Sequence, residues 1–294
     1  MRSGTHGEKR LSTDSLDAVQ QRNRGWWERT PMTYDWSMAS SNDRSLAWFD
    51  EQDRRNIEAH RFFATDQHPF DRLIPFQQIR GKRVLEIGVG AGFHSELMAR
   101  AGADVTGIDL TDAAVATARR RFDLKGLDGR FLRWDAEQPS SDLQGRFDFV
   151  WSWGVIHHSA RTGRIVRNVA NWLSDEGRFA GMVYHRESMS AAVAVALDGL
   201  LRGKLLSRSI DETLWRSTDG FSARFYPAEI WRDLLLGFFE DAAVDVSGLE
   251  SDILPLPRAL RKAVVRRIPL RRARAMLARW GSFVTFDATR PLRP

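Results

Sequence analysis

The chain has 294 residues, a hydrophobic fraction of 43% and no cysteine. That suits one large globular domain with an ample core, and it excludes disulfides, thiolate nucleophiles and cysteine-ligated zinc or iron–sulfur centres. The formal net charge of +6 is unevenly placed: Arg258–Pro294 carries eleven Arg/Lys against one acid, Asp287, and the rest of the chain has a net charge of −4. A nucleic-acid enzyme would more often spread positive charge along a binding face, so no nucleic-acid partner is expected. The first ten residues, MRSGTHGEKR, are charged with no apolar run behind them, unlike a signal peptide. The longest apolar stretch, Ala191–Leu201, is interrupted by Asp198 and is too short to cross a bilayer. A soluble, cytoplasmic protein is the expectation.

In chain order, residues 1–24 are polar and aperiodic and are expected to form a disordered tail. Residues 25–80 are rich in aromatics, among them Trp26, Trp27, Tyr34, Trp36, Trp48 and Phe76. Ile57, Phe62 and Phe63 stand among charges as on an amphipathic helix, so this segment is expected to be a helical N-terminal cap. From 81 to 185 strands and helices alternate. Val84–Val89 is a short apolar run closed by glycines, Phe93–Ala101 a helix closed by Gly102, and Asp104–Asp109 the next strand. A helix capped by Thr111 or Asp112 runs to about Phe122. Strands follow at Arg130–Trp134 and Phe147–Trp153, then a helix over Thr162–Leu173, a turn at Ser174–Gly177 and a strand at Arg178–Tyr184. A helix at Ala228–Phe238 and strands at Ala242–Ser247 and Ser282–Thr289 complete an α/β, doubly wound, mostly parallel seven-stranded sheet with helices on both faces. Residues 186–294 then contain these last strands and two connections too long to be simple, 186–226 and 248–280, expected to form acceptor-side helical insertions.

The chemistry concentrates in EIGVGAGF, Glu86–Phe93. Gly88, Gly90 and Gly92 follow a strand and open a helix, where a tight turn must let a ligand approach the backbone. Asp109 stands 21 residues beyond Gly88, at the end of the next strand, where a carboxylate accepts from both hydroxyls of a ribose. A dinucleotide loop usually has the spacing GxGxxG and presents a helix N-terminus to pyrophosphate. Here the spacing is GxGxG, and Glu86 sits two residues before the first glycine. A carboxylate there repels pyrophosphate and suits a ligand bearing ammonium and sulfonium charges, which favours S-adenosylmethionine over a nicotinamide cofactor.

VLEIGVGAGFHS followed by VTGIDLT (Val105–Thr111) resembles the first two motifs of the class I, Rossmann-like S-adenosylmethionine-dependent methyltransferases. RWDAE (Arg133–Glu137) is similar to their third motif, and FDFVWSWGVIHHS (Phe147–Ser159) to the fourth, in the form found in bacterial small-molecule methyltransferases. LSDEGRFAGMVYH (Leu173–His185) is similar to the segment that usually contains LxPGG, with DEG at Asp175–Gly177 in place of PGG. The resemblance covers Lys82–His185, and PMTYDW (Pro31–Trp36) resembles the family's cap. It implies that Gly88, Gly90 and Gly92 line the methionine part of the cofactor, with Glu86 supporting its amino group through the loop. It further implies that Asp109 holds the ribose, Leu110 packs on the adenine, and Asp135 accepts from the adenine amino group with Ala136 beside it. Trp153 would lie near the sulfonium, and Tyr34 would close over the cofactor. The product would be S-adenosylhomocysteine, with no metal needed.

Transfer to a hydroxyl or amine gains from a base near neutral pKa. His157 and His158, after the fourth strand, are the candidate catalytic residues, and the family resemblance favours the pair without choosing between them. Tyr184, His185 and Glu187 are acceptor-side candidates at the end of the fifth strand, and His94 is placed to position the cofactor. His60 and His68 lack metal-ligand partners at a useful spacing. The basic region divides at Pro269 into two amphipathic helices, packed on the body, lying on anionic lipid through 258–280, or facing an anionic acceptor. The leading expectation is methylation of a small, partly apolar molecule. A membrane-associated methyltransferase of a lipid or quinone intermediate comes second; a nucleic-acid methyltransferase, a non-catalytic cofactor-binding module and a nicotinamide oxidoreductase rank below.

Overall fold

A computed structural model describes residues 15–30, 44–65, 68–216, 218, 220–256 and 258–293. Five parallel strands form one side of the sheet: β1 (Arg83–Ile87), β2 (Asp104–Asp109), β3 (Arg130–Arg133), β4 (Phe147–Trp153) and β5 (Leu173–His185). A two-residue strand, β6 (Phe225–Tyr226), adds to the end of β5, and β7 (Phe239–Ser247) and β8 (Phe283–Pro291) complete the other side. The order is β3-β2-β1-β4-β5-β8-β7, and only β8 runs against its neighbours. The expected seven strands are therefore present, and β6 is an eighth, too short for any pattern to register.

Alternating residues of the central strands feed two cores, as a pleated sheet buried on both faces requires. Leu85, Ile87, Val150, Phe179 and Val183 pack against Ile165, Val166, Val169 and Trp172 of α5 (Thr162–Trp172) and Trp231 of α8 (Ala228–Leu236). Val84, Phe149, Trp151, Trp153 and Met182 pack on the other face with Phe93 and Met98 of α3 (Phe93–Arg100) and with Phe63, Phe70 and Ile74 of the N-terminal segment. Trp151, Trp172 and Trp231 are fully buried. Each contributes on the order of 5 kcal/mol of gross hydrophobic stabilisation, which fixes the sheet that carries the site. α4 (Asp112–Lys125) covers β2 and β3 through Ala114, Ala118 and Phe122.

The cap differs from its sequence reading. α1 spans Leu16–Arg29, capped by Ser15, and so begins inside the stretch 1–24 expected as tail; residues 1–14 lie outside the described residues. Its buried positions are Val19 and Asn23, and those of α2 (Leu46–Ala59) include Gln52 and Asn56. A buried face made partly of amides leaves no apolar period to detect. Ile57 is exposed, and Phe62 and Phe63 sit in the 3₁₀ turn after α2. β5 also starts earlier than expected: the segment taken as a turn, Ser174–Gly177, is a bulge inside it, because Phe147 pairs with Leu173 and Phe149 with Arg178.

The insertions are helical. α6 (Met189–Ala194) continues as a π-helical turn over Val195–Leu201, followed by α7 (Ile210–Arg216). After β7 come α9 (Glu250–Ile253), α10 (Arg258–Val265) and α11 (Leu270–Trp280), the last two divided at Pro269 as anticipated. Val265, Ala273 and Leu277 pack on Phe62. Part of the basic charge ties these helices to the cap: Arg266 meets Glu58 at 2.7 Å, Lys262 pairs with the same carboxylate, and Arg274 donates to the Phe62 and Ala64 carbonyls.

Candidate functional site

The strand order reverses between β1 and β4, and the loops leaving their C-terminal ends open on one cavity of about 600 Å³. This reversal brings the glycine loop, which follows β1, against the His157–His158 segment, which follows β4. The junction is tight: a Cβ on Gly88 (φ 81°) would lie 2.2 Å from a methyl of Val155. Gly90 (φ 49°) faces open space, so its backbone forms a bare cradle in the cavity wall. Gly92 caps α3 and stands behind that wall.

Asp109, at the end of β2, lines the cavity beside the cradle. One carboxylate oxygen accepts from the Gly90 amide at 3.2 Å; the other accepts from the Thr111 amide at 3.0 Å and hydroxyl at 2.8 Å. A carboxylate has about four acceptor sites, so capacity remains for a ligand donor. Burial pushes the Asp109 carboxyl up, against the pull of the Thr111 bonds, so added donors would favour its ionised form. Leu110, Asp135 and Ala136 continue the wall. Asp135 accepts from the Gln20 amide at 3.0 Å and the Glu137 backbone at 2.9 Å, and burial raises its carboxyl too.

Glu86 lies one layer behind. It is 1% exposed, accepts from the Ser95 hydroxyl and stands 3.4 Å from Nδ1 of His94. His94 is 7% exposed and lines the cavity, and its Nε2 has no hydrogen-bond partner among the described residues.

On the opposite side, the two candidate bases separate. His158 lines the cavity, and its Nδ1 donates to the Ser222 carbonyl at 2.6 Å, which leaves the lone pair on Nε2. Its own carbonyl accepts from Asn23 and Ser222, so α1 and the 222 loop fix its place. His157 is fully buried outside the cavity lining, with its ring 3.8 Å from that of Tyr184 and 4.3 Å from that of His158. Burial, then the neighbouring His158, lowers its pKa well below the usual value; the Met182 carbonyl opposes that shift without a well-formed hydrogen bond.

Trp153 and Tyr184 line the cavity with Phe225 and Phe283. The Trp153 indole donates to Nε2 of His60 at 3.4 Å. His185 is buried and its Nδ1 donates to the Gly281 carbonyl at 2.8 Å, while Glu187 is exposed; neither borders the cavity. Tyr34 lies outside the described residues.

Several lining residues lie outside the motifs and were not expected as site residues. Gln20, Asn23 and Trp27 come from α1, Trp48, Gln52, Asn56 and His60 from α2 and its C-cap, and Ser190, Ala191, Ala194 and Leu214 from α6 and α7. His60 is pushed down to about 3 by burial and then by His94, so it is a neutral ring held between Asn56 and Trp153. Arg121 is fully buried, donating to Glu96 at 2.5 Å and the Ala91 carbonyl at 3.1 Å and pairing with Asp53, which ties the glycine loop to α2. The spacing of Gln20, Asn23 and Trp27 along one helix face was a legible hint. Among the described residues no group of three or more His, Asp or Glu is arranged to hold a metal.

The Gly90 cradle and the Asp109 carboxylate with spare acceptor capacity fit the amino-acid and ribose parts of S-adenosylmethionine. Residues 84–177 match the family described as "Methyltransferase domain". A Ubiquinone biosynthesis O-methyltransferase of Pseudomonas aeruginosa (strain UCBPP-PA14) is 37% identical over 89 residues, 30% of this chain and 38% of that protein. Another, of Xanthomonas euvesicatoria pv. vesicatoria (strain 85-10), is 30% identical over 155 residues, 49% of this chain and 65% of that protein. The matches thus span less than two thirds of these relatives. Haemonchus contortus Phospholethanolamine N-methyltransferase 2, solved with phosphomonomethylethanolamine and S-adenosylhomocysteine, aligns over 92% of this chain and 61% of its own with a TM-score of 0.52 at 18% identity, a likeness of fold. Residues 84–177 thus match a methyltransferase domain, and the chain has the Rossmann-like fold of class I methyltransferases.

Proposed function

We propose that the chain is a methyltransferase that moves a methyl group from S-adenosylmethionine to a small, uncharged, largely apolar acceptor. The observation that carries this reading is that one cavity joins the Gly90–Asp109 cradle to His158 and to an aromatic wall of Trp153, Tyr184, Phe225 and Phe283. When bound, the cofactor supplies an electrophilic methyl on a sulfonium. Gly88, Gly90, Asp109, Leu110, Asp135 and Ala136 hold it and fix where that methyl stands. Trp153 and the other aromatics exclude water and offer ring faces to positive charge. His158 Nε2 takes the acceptor's proton, and the Ser222 carbonyl on Nδ1 stabilises the imidazolium that forms. His157 packs behind and keeps His158 in position. In this reading Ala191, Ala194, Leu214, Leu249 and Phe283 form the far, acceptor lobe of the cavity, and their apolar side chains suit a neutral, apolar acceptor. The relatives named for O-methylation in ubiquinone biosynthesis agree with a hydroxyl acceptor on an apolar body.

The test is turnover against paired acceptors. Neutral phenols and alcohols should yield S-adenosylhomocysteine, and their carboxylated or phosphorylated counterparts should yield far less. Tight NADH binding without S-adenosylmethionine binding would overturn the reading.

A second reading, methylation of a membrane-held lipid or quinone intermediate from the inner face of a membrane, rests on a specific surface. Leu197, Leu200, Leu201 and Leu206 are exposed between α6 and α7, which place Ser190, Ala191, Ala194 and Leu214 in the cavity lining. Leu260, Val264, Met276 and Trp280 are exposed on α10 and α11 among arginines. No helix among the described residues is long and apolar enough to cross a membrane. Pelleting with anionic vesicles and not with neutral ones supports this version, and pelleting with neither excludes it.

A further inference from the structure

His94 is the feature that the proposed chemistry leaves unused. It is the second residue of α3, immediately past the glycine loop, and packs between Phe70, at 4.6 Å, and Trp151, at 5.6 Å between ring centroids. Its Nδ1 stands 3.4 Å from the buried Glu86 carboxylate, itself anchored by Ser95. A carboxylate facing Nδ1 favours the tautomer that carries its proton there, which makes Nε2 the acceptor. That Nε2 is buried at the cavity wall and has no partner among the described residues. A buried acceptor left unmade is costly, so this atom awaits a donor from a ligand.

We propose that His94, oriented by Glu86, is a cofactor-binding residue whose Nε2 accepts a hydrogen bond from the ammonium group of the bound cofactor's amino-acid end. The inference rests on the methyltransferase reading. It also gives Glu86 a mechanism. Its carboxylate does not reach the cavity, so its preference for a cationic ligand passes through the His94 ring. A carboxylate at the same point would need a donor on Nε2, which Glu86 disfavours. A sulfonium has no hydrogen to donate. An ammonium satisfies the geometry.

Calorimetry with two probes tests the assignment: S-adenosylhomocysteine, and its deaminated analogue in which hydrogen replaces the ammonium. The wild-type chain should bind the first more tightly. His94→Ala should weaken S-adenosylhomocysteine by roughly 10- to 100-fold, the range of a hydrogen bond to a charged group, and leave the analogue unchanged. His94→Gln, which retains an acceptor near Nε2, should recover part of the loss. Glu86→Gln should weaken S-adenosylhomocysteine selectively, because a glutamine amide can donate to Nδ1 and move the proton to Nε2. Equal losses for both probes, or none for either, would overturn the proposal while leaving the methyltransferase reading in place. If the wild-type chain binds neither probe, that reading fails and the proposal fails with it. The conservative variants keep the test valid should His94→Ala fold poorly.

Discussion

The cofactor side and the acceptor side of the cavity hold their ligand-facing groups by different means. On the cofactor side the groups are backbone or are fixed by backbone: the Gly90 cradle, and Asp109 pinned by the amides of Gly90 and Thr111. All of them follow β1, β2 or β3, within 50 residues of sequence. On the acceptor side the wall is assembled from side chains of the cap, β5, α6, α7, β6 and the start of β8. A site built on backbone and strand ends demands particular residues at particular spacings. A wall built from side chains of scattered elements demands only shape and polarity, which many sequences supply. His158 stands where the two constructions meet, held by Asn23 from the cap and Ser222 from the insertion.

The largest expected effect lies at that junction. His158→Ala should lower kcat by about 10²- to 10⁴-fold, the span usual for a lost general base. Affinity for S-adenosylhomocysteine should be unchanged. His157→Phe, a packing change away from the cavity lining, should retain most of kcat while shifting Tm. A reversed pattern, with His157→Phe inactive and His158→Ala active, would move the base into the buried layer.

The second effect separates the two sides by ligand. Asp109→Ala should weaken S-adenosylhomocysteine by about 100-fold, as expected for lost hydrogen bonds to a charged acceptor. Leu214→Ala on the far lobe should leave that affinity intact and raise KM for the acceptor. Calorimetry and steady-state kinetics on both variants decide it; a cofactor loss in Leu214→Ala would show that the lobes are not separable.

The same contrast explains what the sequence revealed. β2 and β4 occur within their expected limits because each is buried on both faces and ends in a motif. The glycine loop and Asp109 declare themselves because tight backbone approach and ribose binding leave few residue choices. The start of α1 and the cavity-facing positions of the cap escaped because Asn23, Gln52 and Asn56 are buried amides, invisible to a search for apolar period. β6 escaped because two residues form no pattern, and the start of β5 because a bulge and a turn share the same small polar residues. Which of two adjacent histidines faces the cavity depends on the turn after β4, and adjacency alone gives no sign of it.

A third test uses pH. His60 and His157 are neutral in the folded protein, with pKa values pushed down to about 3 for His60 and well below normal for His157, first by burial. In the unfolded chain each takes a proton near pH 6.5. Below that pH the unfolded state holds more protons, so stability falls as pH falls, by about 1.4 kcal/mol per pH unit for each ring, until the folded group also protonates. Denaturant midpoints from pH 7 to pH 4 should show this slope, and His157→Phe should reduce it. Asp109 has the opposite sign: its raised pKa means the folded state takes up a proton earlier on acidification, so this residue alone would favour folding at lower pH. Cofactor affinity, which needs its carboxylate, should therefore drop at a pH above the ordinary carboxylate range.

The smallest expected effect concerns the outer surface. Leu206 is 94% exposed and is not among the residues that line the cavity. Leu206→Ser should leave Tm, cofactor affinity and turnover of a water-soluble acceptor unchanged. If the insertion rests on a membrane, burying one leucine is worth on the order of 1.5 kcal/mol, so partitioning onto anionic vesicles should fall by roughly tenfold or less. Replacing Arg271 and Arg272 with glutamine should weaken the same partitioning through charge, an effect that added salt erases. A loss from the arginine changes with none from Leu206→Ser would place contact on α11 alone. Equal losses would put the insertion around Leu206 at the bilayer surface together with α11.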